Sequence, residues 1–166
     1  MVSVETKRPR ASGPERARHS VLELERFLPY RLSVLSNTIS GAIARMYERR
    51  FALTVTEWRV MAVLGRYDGL SAREVAERTA MDKVAVSRAL ARLIGAGRVR
   101  RLVADHDRRQ SVLRLSARGW KVYEQVAPLA LEHERRLLAH LDREERAWLG
   151  RILDKLWQAE LEEADA

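Results

Sequence analysis

Lys83, Ser87, Arg88 and Arg92 fall within ten residues, interleaved with Val86, Leu90, Leu93 and Ile94. The apolar four are spaced i, i+4, i+7 and i+8, one stripe of a helix, and the polar four project elsewhere. Three cations and a hydroxyl, with no acidic side chain from residue 83 to residue 104, suit the binding of an anion rather than the making or breaking of bonds. An ammonium supplies a point charge. A guanidinium supplies a planar fork of donors that matches a phosphate or the O6/N7 edge of guanine. Val84 and Ala85, on the opening turn of the same segment, offer methyl groups suited to the C5-methyl of thymine. Arg88, in the middle of the exposed side, is the expected base-edge contact.

Catalytic constellations are missing. The chain has no cysteine, which removes disulfides, thiolate zinc sites, cysteine nucleophiles and thiol-based peroxide sensing. His19, His106, His133 and His140 are scattered. The last two share a helix face at a spacing of seven but have no carboxylate at ligand spacing, so no metal site is expected. No Ser–His–Asp arrangement can be built, and no glycine-rich phosphate loop exists. The expectation is a protein that is not an enzyme and carries no cofactor.

The elements around the cationic segment have local signals. Ser71-Ala72-Arg73-Glu74 has capping-box spacing and opens a short helix. The N-terminus of that helix, with Ser71 and Arg73, is a candidate phosphate contact. The period breaks at Thr79-Ala80-Met81, and Asp82 then offers an N-cap for a second helix that ends near Gly97. Two short helices joined by a tight turn make a helix-turn-helix. Beyond Gly97 the period changes from 3.6 to 2. Residues 98–103 and 110–115 are expected to form a two-stranded ribbon whose charged tip spans 104–109. A helix-turn-helix followed by a basic hairpin is a winged helix.

The flanking segments are helical. Leu32, Leu35, Ile39, Ile43 and Met46 mark a first helix from Pro29 to about Arg50. Thr56 is the expected cap of a second helix over 57–67, with Trp58, Met61 and Leu64 on one stripe. Ser116 opens a long helix to about His140 with Pro128 inside it, where a kink or an interrupted ladder is expected. Asp142 and Glu145 box the start of the last helix, whose stripe is Leu149, Ile152, Leu153, Leu156 and Trp157. Residues 1–20, with Pro9 and Pro14 and no apolar period, are expected to be a disordered basic arm. The fold class expected is mainly α with a small β-wing. Domain boundaries are expected at 21–52 and 117–166 for a helical dimerisation region, and at 53–116 for the winged helix-turn-helix. The terminal helices carry more apolar surface than a small winged-helix body covers, which asks for a two-fold homodimer.

Charge agrees with this arrangement. The 166 residues carry a net +8, and residues 82–121, with eleven basic and three acidic side chains, hold an excess of +8 by themselves. Residues 122–166 are acidic, with six basic and eleven acidic side chains. A segregated basic patch is the footprint of a polyanion binder, expected here to be double-stranded DNA. No apolar run is long enough to span a bilayer, and no secretory signal is visible. Cytoplasm is the expected compartment.

The ordered set Asp82, Val86-Ser87-Arg88-Ala89-Leu90, Arg92-Leu93, Gly97, Asp107-Arg108-Arg109 and Leu113-x-Leu115-Ser116-x-x-Gly119 resembles the MarR-type winged-helix transcriptional regulators. Val84 and Ala85 replace hydroxyl residues common in that family. The resemblance implies a roughly triangular dimer that reads two major grooves of a pseudo-palindrome. In the wing it implies that Asp107 orients Arg109 towards the minor groove while Arg108 meets phosphate. It further implies a small effector that releases DNA, in a cleft lined by Phe27, Tyr30, Arg31 and Ser36 on the first helix with Trp58 and Arg59 on the second. The stretch 27–32 is similar to relatives that control aromatic-acid degradation, some of which respond to a coenzyme A thioester. The alternative from another class is an architectural DNA-coating protein with no effector and little sequence preference.

Overall fold

The computed structural model describes residues 21–103 and 111–164. Six helices and one two-stranded sheet follow one another as α1 (Leu28–Phe51), α2 (Val55–Arg66), α3 (Ala72–Thr79), α4 (Lys83–Gly95), β1 (Val99–Val103), β2 (Ser111–Leu115), α5 (Ala117–Leu138) and α6 (Arg143–Ala164). This is the expected class, mainly helical with a small β-wing. The chain divides between Ile39 and Ser40 into two compact units. The arm over 1–20 and the ribbon tip over 104–110 lie outside the described residues.

Local chemistry sets most of the boundaries. At α3 the Glu74 amide donates to Ser71 Oγ (3.2 Å) and the Ser71 amide donates to the Glu74 carboxylate (2.8 Å). Asp82 accepts from the amides of Val84 and Ala85, both at 3.0 Å, and so caps α4. A side-chain N-cap contributes about 1 kcal/mol. Between these helices the backbone turns through Ala80 at φ 49°. After α4, Gly97 takes φ 68°, the left-handed region open to glycine. Asp142 and Glu145 exchange amide–carboxylate bonds of 2.8 Å at α6. Pro128 lies inside α5, which runs through it to Leu138.

One cap differs from expectation. The N-cap of α2 is Thr54, not Thr56. The Glu57 amide donates to Thr54 Oγ1 (3.2 Å) and the Thr54 amide donates to Glu57 Oε2 (2.8 Å). The reason lies in the spacing: Thr54 and Glu57 are three apart, so each satisfies the other's orphan amide, and Thr56 has no acidic residue three positions on.

β1 and β2 pair antiparallel, with Val99 opposite Leu115 and Leu102 opposite Val112. Leu70 adds a single bridge, its carbonyl accepting from the Leu113 amide at 2.7 Å. The core is assembled from Val60, Met61 and Leu64 of α2, Val75 of α3, Val86, Ala89, Leu90 and Leu93 of α4, Val99, Leu113 and Leu115 of the ribbon, and Val122 and Val126 of α5. Ala44 and Tyr47 of α1 complete it. Burial pushes the Tyr47 hydroxyl up to about 12. By contrast, Leu149, Ile152, Leu153, Leu156 and Trp157 of α6 and Leu32 and Leu35 of α1 are exposed.

The base of the ribbon is locked by one motif. The Ser116 hydroxyl donates to the Gly97 carbonyl (2.6 Å) and accepts from the Gly119 amide (3.0 Å), while the Ser116 amide donates to the Arg98 carbonyl (2.9 Å). Gly119 packs so closely there that a Cβ would lie 2.1 Å from the Arg98 oxygen.

Candidate nucleic-acid interface

The two faces of α4 separate as its sequence requires. Val86, Ala89, Leu90 and Leu93 are buried, whereas Lys83, Val84, Ser87, Arg88 and Arg92 are exposed. Ala85 is half-buried on the opening turn. Val84 leaves 55% of its surface in water, an uncommon position for a branched apolar side chain beside three cations. The apolar back holds the helix to α2 and α3 while the front stays open.

A shallow depression of about 160 Å³ runs between the starts of α3 and α4, lined by Ala72, Arg73, Ala76, Lys83, Val86 and Ser87. Structure thus brings the α3 candidates and the α4 candidates to one surface. Ser71 is half-buried and spends its amide and hydroxyl on the capping box with Glu74, and those two bonds hold the Glu74 carboxyl below its usual range. Arg73 is exposed and pairs with Glu77 at 2.7 Å. An exposed pair of this kind contributes little, so Arg73 can exchange its partner for a phosphate at little cost.

Arg92 is placed differently from the other α4 cations. Its Nε lies 2.8 Å from Glu57 Oε1 in an ion pair. Glu57 is a buried carboxylate, 5% exposed, and its other oxygen caps α2. Sequence reasoning missed Glu57, although the T-x-x-E spacing of Thr54 and Glu57 was the signal that marked its location. The ribbon adds further cations: Arg100 stands opposite Arg114, both exposed. Like charges in register repel, and Asp68, 3.3 Å from Arg114 Nε, offsets part of that repulsion. Asp107, Arg108 and Arg109 lie outside the described residues.

The candidate effector residues divide between the two units. Phe27, Tyr30, Arg31 and Ser36 belong to the N-terminal unit and are exposed. Trp58 and Arg59 belong to the other. Trp58 is half-buried between Tyr47 and Tyr123, with ring centroids 5.9 and 5.7 Å away, and Arg59 donates to Ser40 Oγ at 2.9 Å. Trp58 is therefore a core aromatic in this structure. Among the described residues no group of His, Asp or Glu is arranged to hold a metal, and no helix is long and apolar enough to cross a membrane.

A basic, open recognition helix seated between a supporting helix and a two-stranded ribbon is a specific arrangement, and residues 53–110 match the model of the MarR family. The match covers 58 of the 166 residues. Its 93-residue match to the HTH-type transcriptional regulator BilQ of Clostridium symbiosum is 30% identical and covers 56% of the chain. The chain spans 65% of that relative's length. A MarR/EmrR family transcriptional regulator from Acinetobacter sp. ADP1 superposes with a TM-score of 0.76 at 25% identity, over 83% of this chain and 97% of that one. A MarR mutant from E. coli, solved in complex with operator DNA, gives a TM-score of 0.69 at 25% identity, over 82% and 99%. Each of these three proteins is described as a transcriptional regulator or as a MarR protein bound to operator DNA.

Proposed function

We propose that this chain is a member of the MarR family and a homodimeric, sequence-specific DNA-binding repressor that a small effector releases. One observation carries the DNA reading. The exposed face of α4 presents Lys83, Val84, Ser87, Arg88 and Arg92 while its other face is fully committed to the core. Such a helix enters a major groove with its N-terminal residues against base edges. The similarity to an E. coli MarR protein bound to operator DNA supports the same reading.

Arg88 takes the base-edge role, since it sits mid-helix with no ion pair among those formed by the described residues, whereas Arg92 is tied to Glu57. A bidentate arginine–guanine contact is worth about 1–3 kcal/mol of discrimination. Val84 and Ala85 supply the methyl surface for thymine. Lys83 and Arg73, beside the depression between α3 and α4, take phosphate together with the Ser71 region. By resemblance, Asp107, Arg108 and Arg109 complete the proposed set of DNA contacts. Residues 53–116 form the DNA-binding domain, and 21–52 with 117–166 the dimerisation region.

The homodimer is supported by the apolar stripes that α1 and α6 leave in water. Two copies place two recognition helices on successive grooves of a pseudo-palindromic operator. The effector would be an aromatic acid or its thioester. Its action requires only a higher affinity for the dimer conformation whose helix spacing does not fit DNA.

The experiment is a salt titration of wild type and Arg88→Ala on a duplex selected by the wild-type protein from a random pool, and on a scrambled duplex. Wild type should keep a preference of at least about a thousandfold at moderate salt, and Arg88→Ala should lose about tenfold or more of it. A protein that binds both duplexes alike is an architectural coat rather than a regulator.

A further inference from the structure

Glu57 is the one buried acidic side chain among the described residues, and it lies beside the surface assigned to DNA. Both of its oxygens are engaged: Oε2 accepts the Thr54 amide at 2.8 Å, and Oε1 forms an ion pair with Arg92, 2.8 Å from its Nε. The capping box fixes this carboxylate to the first turn of α2, so it cannot swing with its partner. Arg92 stands one helical turn from Arg88, and residues four apart share a face. The Arg92 side chain stays 61% exposed despite this pairing.

We propose that Glu57 is a positioning residue for DNA recognition. It holds the Arg92 guanidinium in one orientation and, through it, fixes the rotation of α4 about its own axis, which sets where Arg88 meets the base edges. The chemistry is suited to this task. A buried carboxylate left without its cation is strongly disfavoured, so α4 is held at the one rotation that satisfies Glu57. The apolar back of α4, made of Val86, Ala89, Leu90 and Leu93, tolerates small rotations, because dispersion contacts are many and non-directional. The 2.8 Å ion pair with a carboxylate itself fixed by the capping box ties α4 to one point on α2.

This inference rests on the DNA-binding reading above. The test uses the full chain with Glu57→Gln, Arg92→Gln and the double variant, on the duplex selected by wild type and on its scrambled counterpart, at several salt concentrations. Glutamine keeps an oxygen for the Thr54 amide and removes the charge. Glu57→Gln should weaken binding to the selected duplex by roughly tenfold, within the coupling range of contacting pairs, and leave the scrambled duplex unchanged. The slope of log affinity against log salt should not change, because no phosphate contact is lost. The double variant should be no worse than the weaker single one. Arg92→Gln alters an exposed side chain and so reports the same loss of preference if Glu57→Gln fails to fold. A silent Glu57→Gln, or a loss equal on both duplexes and matching the fall in folded fraction, would overturn the proposal. So would an Arg92→Gln that weakens both duplexes alike and lowers the salt slope by about 0.9, the signature of one independent phosphate contact. A wild-type protein that enriches no duplex would instead overturn the DNA reading itself, and the inference with it.

Discussion

Replacing Gly119 by alanine sets two physical effects against each other, and the structure decides the sign. Gly119 lies in the first turn of α5, where helix propensity alone predicts that alanine stabilises by about 1 kcal/mol. The added Cβ, however, would sit 2.1 Å from the Arg98 carbonyl oxygen and 3.3 Å from Leu115 Cδ2. Reaching even 3.0 Å requires a separation of about 0.9 Å between the Arg98 backbone and α5. That separation strains the Ser116 amide to Arg98 carbonyl bond and the Gly119 amide to Ser116 hydroxyl bond, now 2.9 and 3.0 Å. Each is worth about 1 kcal/mol net, and overpacking costs about 1–3 kcal/mol more. After the propensity gain is deducted, the net loss is about 2–4 kcal/mol. For a chain of this length that lowers Tm by about 4–16 °C. Urea unfolding followed by circular dichroism should show a lower midpoint at unchanged slope. Gly95→Ala, at a position with nothing within 4 Å of the added Cβ, serves as the control and should be neutral or slightly stabilising. A Gly119→Ala protein as stable as wild type would refute the steric argument.

Two further outcomes follow from burial and exposure. Leu153→Glu places a charge in the apolar stripe of α6, where Leu153 is 47% exposed. Sedimentation should show a dimeric wild type and a monomeric variant that retains its helical content; a monomeric wild type would remove the argument from the exposed stripes. Tyr47 has its hydroxyl raised from 10.0 to about 12 by burial, so its neutral form is the one the fold accepts. Its contribution is whole below pH 10 and is lost as pH rises through 12. Tyr47→Phe should therefore flatten the fall in stability between pH 10 and 12, measured as urea midpoint against pH, and an unchanged profile would assign that fall to other groups.

Much of this molecule was legible without coordinates because the signals were local. The caps at Ser71, Asp82, Ser116 and Asp142 each rest on side chains within three residues of the amides they satisfy, and all four appear as expected. The same holds for the turn at Gly97 and for the apolar stripe of α4, because helical period maps directly onto one face. The cap at Thr54 is equally local: its T-x-x-E spacing with Glu57, rather than the threonine nearest the apolar stripe, sets the start of α2.

Other features depended on chain segments far apart in sequence. Arg92 has the composition of a free DNA contact, and only the packing of α2 against α4 shows that Glu57 takes its Nε. Trp58 has the chemistry of a ligand wall, but Tyr47 and Tyr123 flank it in the fold. Gly119 looks like a weak helix residue until Arg98, 21 positions earlier, is brought against it. The sequence by itself determined the elements, their caps and the segregation of positive charge, because those depend on neighbours along the chain. The tertiary structure alone decided which cations stay available to a partner, because ion pairing and steric contact depend on which distant segments the core draws together.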